Sequence, residues 1–477
     1  MFVIPLHRNG TPLSRQIYSR LRAGVLSGEL SAGERLPSTR ELSDQLSVSR
    51  TVVLMAYDQL LAEGYVVGQT GSGTFVATLP TTGKGRTKVE SAQLRLSDFG
   101  SIVASAEDRV GRALGLFKSL PYDFSYRSSP GTGFPMAAWQ RVLARRIRKA
   151  PVRSYEYAHS SGKLDLRQAI AAHLRRSRAV VCDASQIIIV NGSQQALDLA
   201  ARVLLERGDR VAIEDPHYVG ARDVFLAAGA KLHPVTVDHD GMDTTRLPRA
   251  ARLAFVTPSH QFPTGTILPL PRRLALLAWA KQVNAVVVED DYDGEFRYEG
   301  QPVESLQGLD TEGRVIYVGT FSRSMFPSMR IGYLIAPKSL VPAFTAAKWL
   351  CDRHTATLEQ EALAEFITSG AYERHLRRAR KANAERRRIL LGAITEFVSD
   401  RAEVTGDGAG AHIVVWPRRH GSEEKLVACA AEQGLGVYGI SQHFLAEKTA
   451  RPGLLLGYAH IRKEFIREGI RRLAEIL

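Results

Sequence analysis

The sequence predicts an α/β protein of two units, a small helical module that ends in a β-hairpin and a larger domain with a mainly parallel sheet. Its 477 residues with 44% hydrophobic content suffice for two or three domains. Helix-capping signals crowd into the first 64 residues, whereas from Gln186 onward β-branched runs alternate with helical stretches. We therefore predict the small module at 8–78, a polar linker at 79–120 and the large domain at 121–477.

Composition limits the class of protein and its partners. The formal net charge of +14 makes a polyanionic partner plausible. Cys182, Cys351 and Cys429 are far apart in the sequence and show neither the paired spacing of metal ligands nor a disulfide framework, so no metal is expected. The first residues are too short for a signal-peptide core and no run of 18 apolar residues occurs. The sequence therefore predicts a soluble, cytoplasmic protein without a membrane partner.

Three helices are predicted in the small module. The first carries one apolar stripe and ends near Gly28; its apolar positions recur every four residues at Leu13, Ile17, Leu21 and Val25. Ser38 and Glu41 have the spacing of a capping box and start the second helix. Ser49 is predicted to cap the third helix, which ends at Gly64 and buries Val53, Ala56, Tyr57 and Leu60. Two capped helices joined by a tight turn indicate a helix-turn-helix.

A hairpin should follow the third helix. The runs 65–67 and 74–76 flank the small residues of 69–73, which is typical of two strands and their turn. The hairpin would be the wing of a winged helix-turn-helix. The linker lacks strand patterning and is expected to hold one short helix between Ser105 and Leu116.

The small module resembles the GntR family of winged helix-turn-helix regulators. The resemblance runs from Leu36 to Val76 through LPSTRELSDQLSVSRTVVLMAYDQLLAEGY and GSGTFV. It implies binding to a double-stranded DNA operator through residues of the two capped helices and the wing tip, namely Ser38, Arg40, Ser49, Arg50, Thr51, Thr70 and Gly71. Arg50, in the first turn of the recognition helix, is the leading base or phosphate contact. The alternative is that Arg40 and Arg50 are solvated surface charges.

Charge within the small module points to a dimer. Residues 1–77 hold seven Arg, no Lys and six acidic residues, so the module is nearly neutral. A single copy should bind DNA weakly because phosphate contacts supply much of the affinity. We therefore expect a homodimer that presents two modules.

The loops of the large domain resemble those of fold-type I pyridoxal-phosphate enzymes, and the order of modules resembles the MocR/GabR subfamily of GntR regulators. The resemblance covers about 123–477 and implies a fold-type I, PLP-dependent transferase-like α/β domain with a smaller C-terminal α/β subdomain. It also implies pyridoxal 5′-phosphate as cofactor. Ser193 and Gln194 open a helix after a strand and match the phosphate contacts, since a helix N-terminus favours an anion. Tyr218 matches the ring that stacks on the pyridine.

Further positions of the resemblance follow later strands. Asp290 would pair with the pyridine nitrogen and Tyr292 with the ring hydroxyl; the alternative for Asp290 is a helix N-cap. Ser322 and Arg330 belong to the loop GTFSRSMFPSMRIGY, where Arg330 matches the phosphate-binding arginine. TPSHQFPTG at 257–265 is another motif of the subfamily, to which no role is given.

Two departures from the family's pattern weigh against catalysis. The Schiff-base lysine position holds Arg323, whose guanidinium stays protonated and cannot form an imine at neutral pH. No lysine occurs between Lys281 and Lys338, so none in this loop replaces it. Aminotransferases also bind the substrate carboxylate through an arginine on a late strand. The matching position in this chain is Leu455, and Arg451 lies off the strand.

The leading interpretation is a transcription regulator whose catalytically inactive, aminotransferase-like domain senses a small-molecule effector. That effector would be PLP or a PLP–amino compound adduct, bound without a covalent tether. The rival is a PLP-dependent aminotransferase with an appended DNA-binding module; a third interpretation keeps the fold only as a dimer scaffold. The basic stretch 374–388 follows helical spacing and is either a solvated helix face or a DNA contact, the former being favoured.

Overall fold

The chain forms two compact units, Met1–Arg95 and Leu96–Leu477. The computed structural model describes residues 3–7, 10–69, 71–79, 95–104, 120–126, 133–149, 156–298, 303–418, 421–445 and 450–477. The predicted contact residue Thr70 and the helix expected between Ser105 and Leu116 lie outside these ranges. The boundary between the units falls within the segment predicted as a linker.

The first unit contains the three predicted helices and the predicted hairpin. These are α1 (Leu13–Ser27), α2 (Thr39–Leu46), α3 (Arg50–Ala62), β1 (Val66–Gln69) and β2 (Gly73–Val76). Gly28 ends α1 in the left-handed region with φ of 77°, and the capping box of Ser38 and Glu41 is present in full. The prediction for Ser49 was partly wrong: Ser49 is the N-cap residue of α3, but its side chain makes no capping hydrogen bond.

The core of the first unit joins all three helices to the hairpin. It includes Ile17, Leu21, Val53, Tyr57 and Leu60, each at most 2% exposed. The Tyr57 hydroxyl donates to the carbonyl of Pro37 at 2.8 Å, which ties α3 to the start of α2. Residues 33–36 pair with β2 through backbone hydrogen bonds, so the wing has a third extended segment. The unit is a winged helix-turn-helix.

The second unit alternates strands and helices along most of its length. In chain order its elements are α4 (Asp98–Ala104), β3 (Tyr122–Asp123), α5 (Met136–Lys149), α6 (Leu164–Arg178), β4 (Ile187–Val190), α7 (Ser193–Leu204), β5 (Arg210–Asp215), α8 (Val219–Ala227), β6 (Lys231–Asp238), β7 (Gly241–Met242), β8 (Leu253–Val256), α9 (Leu270–Val283), β9 (Val286–Asp291), α10 (Leu306–Leu309), β10 (Val315–Thr320), β11 (Gly332–Ile335), α11 (Val341–Asp352), α12 (Thr357–Thr368), α13 (Ala371–Phe397), β12 (Ala402–Thr405), β13 (His412–Pro417), α14 (Glu423–Glu432), β14 (Leu435–Gly436), β15 (Tyr438–Gly439), β16 (Leu454–Gly457) and α15 (Lys463–Ile476).

An eight-stranded sheet forms the centre of this unit, in the order β4-β11-β10-β9-β8-β5-β6-β7. The pairs from β10 through β6 are parallel, whereas β11 runs antiparallel to both β10 and β4, and β7 runs antiparallel to β6. The β-branched runs that predict strands all lie in this sheet, which confirms the predicted mainly parallel arrangement; they are 187–190, 211–213, 253–256, 286–288 and 315–318. Its central strands are buried on both faces because helices cover each side.

A smaller C-terminal subdomain completes the unit, as the resemblance implied. Its antiparallel sheet has the order β12-β13-β16-β15, and α13 and α15 share its core. Parallel strands of the large sheet end at one edge, where loops after β4, β5, β9 and β10 meet and where ligands of open α/β sheets bind. No helix in the described part of the chain is long and apolar enough to cross a membrane.

Candidate functional site

The predicted DNA contacts of the first unit lie on its surface. Every one within the described ranges is exposed: Ser38, Arg40, Ser49, Arg50, Thr51 and Gly71. The Arg50 Nε donates to the Thr39 hydroxyl at 3.2 Å, so this arginine bridges the first turns of α2 and α3. Arg35, to which the sequence gave no role, lies beside the wing, with its Nε 3.0 Å from where a Cβ on Gly73 would be. The module thus presents cations from both helices and the wing.

A cavity of about 1190 Å³ opens in the second unit at the carboxyl ends of the strands. Its lining includes every predicted cofactor residue: Ser193, Gln194, Tyr218, Asp290, Tyr292, Ser322, Arg323 and Arg330. These residues lie up to 137 positions apart in the sequence, and the sheet topology brings them to one edge. The position of the cavity matches the ligand crevice expected for an open, mainly parallel sheet.

One end of the cavity is built to hold an anion. Gly192, with φ of 84°, precedes α7, whose first N–H groups have no partner within the helix. The Arg330 Nη2 donates to the carbonyl of Asn191 at 2.8 Å and lies 2.8 Å from where a Cβ on Gly192 would be. Gln194 donates to the Gly220 carbonyl at 3.0 Å and lies beside the Tyr218 hydroxyl. A helix N-terminus, a hydroxyl at Ser193 and a guanidinium therefore converge.

Asp290 supplies an unsatisfied acceptor in the floor of the cavity. It lies inside β9, so the helix-cap alternative was wrong. Its Oδ1 is buried and has no hydrogen-bond partner among the described residues. Burial, with the charges of Asp291 and Asp293, raises the pKa of Asp290 to about 8, and the Arg323 guanidinium opposes this shift. A buried acceptor without a partner suits a protonated nitrogen on a ligand.

Tyr292 belongs to a buried polar group that includes two residues without an assigned role. Its hydroxyl lies 2.9 Å from Nδ1 of His260, and the same Nδ1 lies 3.0 Å from Oδ2 of Asp293. Burial, then the Asp293 charge, raises the pKa of Tyr292 well above its ordinary value, so the phenol stays protonated. Only the motif at 257–265 pointed to His260, and nothing in the sequence paired it with Tyr292.

Arg323, which the resemblance places at the family's lysine position, lines the cavity. The Arg323 Nη1 donates to the backbone carbonyl of Tyr126, another lining residue. No lysine is among the described residues that line the cavity. The buried Lys348 lies behind the anion end, where its Nζ donates to Asp352 at 2.7 Å and to Gln195 at 2.9 Å. Among the described residues, Lys348 thus lies in an ion pair and outside the lining of the cavity.

The late strand Leu454–Gly457 contains no arginine. Leu455 is fully buried in β16 and packs with Tyr126 and Phe262, both of which line the cavity. Arg451 precedes the strand, as expected, and forms an ion pair with Glu403 at 2.9 Å. Leu455 thus supports an apolar part of the cavity wall formed by Tyr126 and Phe262.

Comparison with known proteins identifies both units. Residues 13–76 match the family of bacterial regulatory proteins, gntR family, and residues 131–451 match aminotransferase class I and II. The probable rhizopine catabolism regulatory protein MocR of Rhizobium meliloti is 39% identical over 97% of this chain and 93% of its own length. The chain belongs to the MocR/GabR subfamily of GntR regulators. It is therefore a transcription regulator with an aminotransferase-like domain.

Solved structures similar to this regulator's second unit are aminotransferases. A kynurenine aminotransferase of Pyrococcus horikoshii, solved with PMP, is 28% identical with a TM-score of 0.71 over 80% of this chain and 95% of its own. The α-aminoadipate aminotransferase LysN of Thermus thermophilus, complexed with N-(5′-phosphopyridoxyl)-L-leucine, is 28% identical with a TM-score of 0.70 over 76% and 94%. The regulator therefore has the fold-type I architecture.

Proposed function

We propose that this regulator binds pyridoxal 5′-phosphate, or its adduct with an amino compound, reversibly in the cavity, and that occupancy controls binding of its winged modules to a DNA operator. The proposal depends on two features that occur in the same cavity. Asp290 Oδ1 is buried without a hydrogen-bond partner among the described residues, and Arg323 occupies the position that the resemblance gives to the lysine. The first favours a pyridinium in the cavity, and the second removes the group that would attach it covalently.

The residues present fit the cofactor at each of its polar groups. The anion end between Gly192 and Arg330 suits the phosphate, and the Tyr218 ring lies in the wall beside Gln194. Asp290 can accept the hydrogen of the pyridine nitrogen, since a proton on that nitrogen and a carboxylate stabilise each other. When bound, the cofactor supplies an electrophilic carbonyl and an electron-withdrawing ring. In this chain the residues bind and orient it, and Arg323 offers donors to a carboxylate or phosphate but no nucleophile.

The regulator is proposed to act as a homodimer. On α11 the apolar side chains of Trp349 and Leu350 are 48% and 78% exposed, and Tyr157 is 87% exposed. A monomer would leave these groups in water, which is unfavourable. Pairing of two copies would also supply two winged modules, each nearly neutral, to one operator.

Replacement of Arg323 by Lys tests the covalent part of the proposal. The wild type, incubated with the cofactor and treated with borohydride, should release all of it on denaturation. Arg323→Lys should form a yellow species that borohydride fixes to residue 323, as mass spectrometry of the digest would show. The matched control is Arg222→Lys, which adds a lysine elsewhere in the cavity lining and should trap nothing.

Each alternative outcome has a definite meaning. If the wild type is yellow and traps the cofactor, another lysine serves, Lys348 being the buried candidate, and the aminotransferase interpretation regains support. If neither protein binds cofactor in equilibrium dialysis, the cavity does not recognise it and the scaffold interpretation gains.

A further inference from the structure

The contact between His260 and Asp293 determines which ring nitrogen of His260 carries a hydrogen. Nδ1 of His260 lies within hydrogen-bond distance of both the Tyr292 hydroxyl and Oδ2 of Asp293. The side chains of His260 and Asp293 are each 2% exposed, so water does not compete with these contacts. A carboxylate only accepts hydrogen bonds, and therefore the hydrogen between Asp293 and His260 belongs to Nδ1.

The remaining geometry agrees with that tautomer. The His260 Nε2 is buried without a partner among the described residues, and it lies 2.9 Å from where a Cβ on Gly265 would be. A hydrogen on Nε2 would find no acceptor among the described residues, which agrees with a hydrogen on Nδ1. The neighbouring His412 ring, 5.0 Å away, is directed through Nε2 to the Pro263 carbonyl instead.

A consequence follows for the Tyr292 hydroxyl. Because Nδ1 already bears a hydrogen, the phenol oxygen can only accept from it, and the phenol's own hydrogen must point elsewhere. Tyr292 lines the cavity, so a bound ligand is the available acceptor. We propose that Asp293 and His260 commit the Tyr292 hydroxyl to donate into the cavity, which makes the site select a 3-hydroxypyridine ligand that presents an anionic ring oxygen. His260 is then a positioning residue, and this inference rests on the proposed binding of pyridoxal phosphate.

The test compares two ligands that differ only at the ring oxygen. Equilibrium dialysis of the full chain with pyridoxal phosphate and with 3-deoxypyridoxal phosphate gives a ratio of dissociation constants. The wild type should prefer the hydroxylated ligand by about tenfold or more, the size of a hydrogen bond to a charged acceptor. Tyr292→Phe should reduce the ratio to about one. His260→Leu leaves a hydroxyl that can still rotate toward the ligand, so it should reduce the ratio in part, and the double variant should reduce it no further than Tyr292→Phe does. His260→Asn, which keeps a donor near Nδ1, should restore part of it.

The outcomes separate this inference from the proposed function. A wild type that binds both ligands equally, or a His260→Leu variant with an undiminished ratio, would overturn the role of His260 while cofactor binding stands. A wild type that binds neither ligand would refute the proposed function itself. If His260→Leu does not fold, the isosteric Asp293→Asn gives the same information, because an amide can donate to Nδ1 and reverse the tautomer; its ratio should fall as well.

A second inference concerns the exposed basic face of α13. The basic stripe, as we name it, consists of Arg374, Arg377, Arg378, Lys381 and Arg388, which recur mainly at three- and four-residue spacing and are all exposed. Within the described ranges, no carboxylate lies within 4 Å of the charged groups of Arg377, Arg378, Lys381 and Arg388, and they make no side-chain hydrogen bond. Glu385, on the same face, is bonded to Lys463 at 2.8 Å. Like charges at this spacing destabilise a helix.

Other surface arginines of the same subdomain are paired. On α15, Arg467 contacts Glu396 at 2.5 Å, and Arg471 and Arg472 contact Glu468 at 2.8 and 2.9 Å. Removing the seven Arg and six acidic residues of 1–77 from the totals of 63 basic and 49 acidic residues leaves 13 excess positive charges in 78–477. The DNA-binding module is therefore not where most of the positive charge of this regulator lies.

We propose that the basic stripe contacts the phosphate backbone of double-stranded DNA. From Arg374 to Arg388 the helix rises by about 21 Å, enough to face several successive phosphates. The contacts would add affinity without sequence preference, since they reach no base edges.

Salt dependence tests the second proposal. The full chain is titrated against a duplex of random sequence, about 40 base pairs long, at several KCl concentrations, and the slope of log K against log [KCl] is compared. Arg377→Gln, Arg378→Gln and Lys381→Gln combined should reduce the slope by about 2 to 3, because each phosphate contact contributes about 0.9. The control changes net charge equally through Arg467→Gln, Arg471→Gln and Arg472→Gln and should keep the wild-type slope. An unchanged slope in the stripe variant, or an equal decrease in the stripe variant and the control variant, would refute the proposal. The basic stripe would then face solvent or an acidic protein.

Discussion

Replacement of Asp290 by Asn should stabilise the ligand-free protein while weakening cofactor binding. The wild-type carboxyl group is 4% exposed, its Oδ1 has no partner among the described residues, and burial raises its pKa to about 8 from 3.8. In the folded protein the carboxyl is therefore mostly protonated at pH 7, whereas in the unfolded chain it is ionised. Folding must take up a proton there, and the variant removes that requirement.

The magnitude follows from the two pKa values. Because the folded pKa is the higher one, the stability that Asp290 contributes is complete below about pH 4 and is lost as pH rises through 8, by about 1.4 kcal/mol per pH unit. At pH 7 the loss is on the order of 4 kcal/mol. The buried amide of Asn would itself lack partners, at a cost of about 1–3 kcal/mol. We therefore expect Asp290→Asn to stabilise the ligand-free protein by roughly 1–3 kcal/mol at pH 7.

Thermal unfolding between pH 5 and 9, with and without pyridoxal phosphate, measures both effects. The melting temperature of the wild type should fall with rising pH more steeply than that of Asp290→Asn. Added cofactor should raise the wild-type value and raise that of the variant less, because the charge-assisted hydrogen bond to the pyridine nitrogen is lost, which corresponds to about 10- to 100-fold in affinity. Parallel pH profiles for the two proteins would refute the raised pKa, and equal stabilisation by cofactor would refute the contact.

Three further predictions concern the other groups. Arg50→Ala should weaken operator binding by roughly 1–3 kcal/mol and leave assembly intact; unchanged affinity in a gel-shift titration at fixed salt would remove Arg50 from the interface. Gly192→Ala should weaken cofactor binding about tenfold or more, since the new Cβ would lie 2.8 Å from Nη2 of Arg330 and the φ of residue 192 is 84°. Equilibrium dialysis showing wild-type affinity would contradict the proposal that this end of the cavity binds the phosphate. Leu350→Asp should shift sedimentation from dimer to monomer at micromolar concentration; a wild type that is itself monomeric would refute the proposed dimer.

Local sequence signals were sufficient for the winged module and for the strands of the large sheet. The capping box of Ser38 and Glu41 depends on residues three apart, so the sequence reports it directly. Runs such as Ile187–Val190 predict buried strands because β-branched residues suit a sheet covered on both faces. The predicted cofactor residues follow such strands, and the carboxyl ends of parallel strands meet at one edge.

The strand order and the side-chain contacts that the sequence could not predict depend on pairing between distant segments. The antiparallel strand β11 lies between β4 and β10, a placement that no local periodicity encodes. The contacts among His260, Tyr292 and Asp293 require the loop after β8 to lie against the loop after β9. The Ser49 hydroxyl shows the converse, since a residue of the right type at a cap position makes no capping bond.

The buried acceptor at Asp290 distinguishes a ligand site from a scaffold. A fold kept only for dimerisation gains nothing from a carboxyl group without a hydrogen-bond partner, because burying such a group destabilises the folded state. Here the acceptor faces a cavity that also presents an anion end at Gly192 and Arg330. A ligand with a protonated ring nitrogen and a phosphate would offset the cost at both points. The scaffold interpretation therefore requires that Asp290→Asn alter neither the response of operator binding to pyridoxal phosphate nor the shift in melting temperature that pyridoxal phosphate causes, whereas ligand sensing requires that both change.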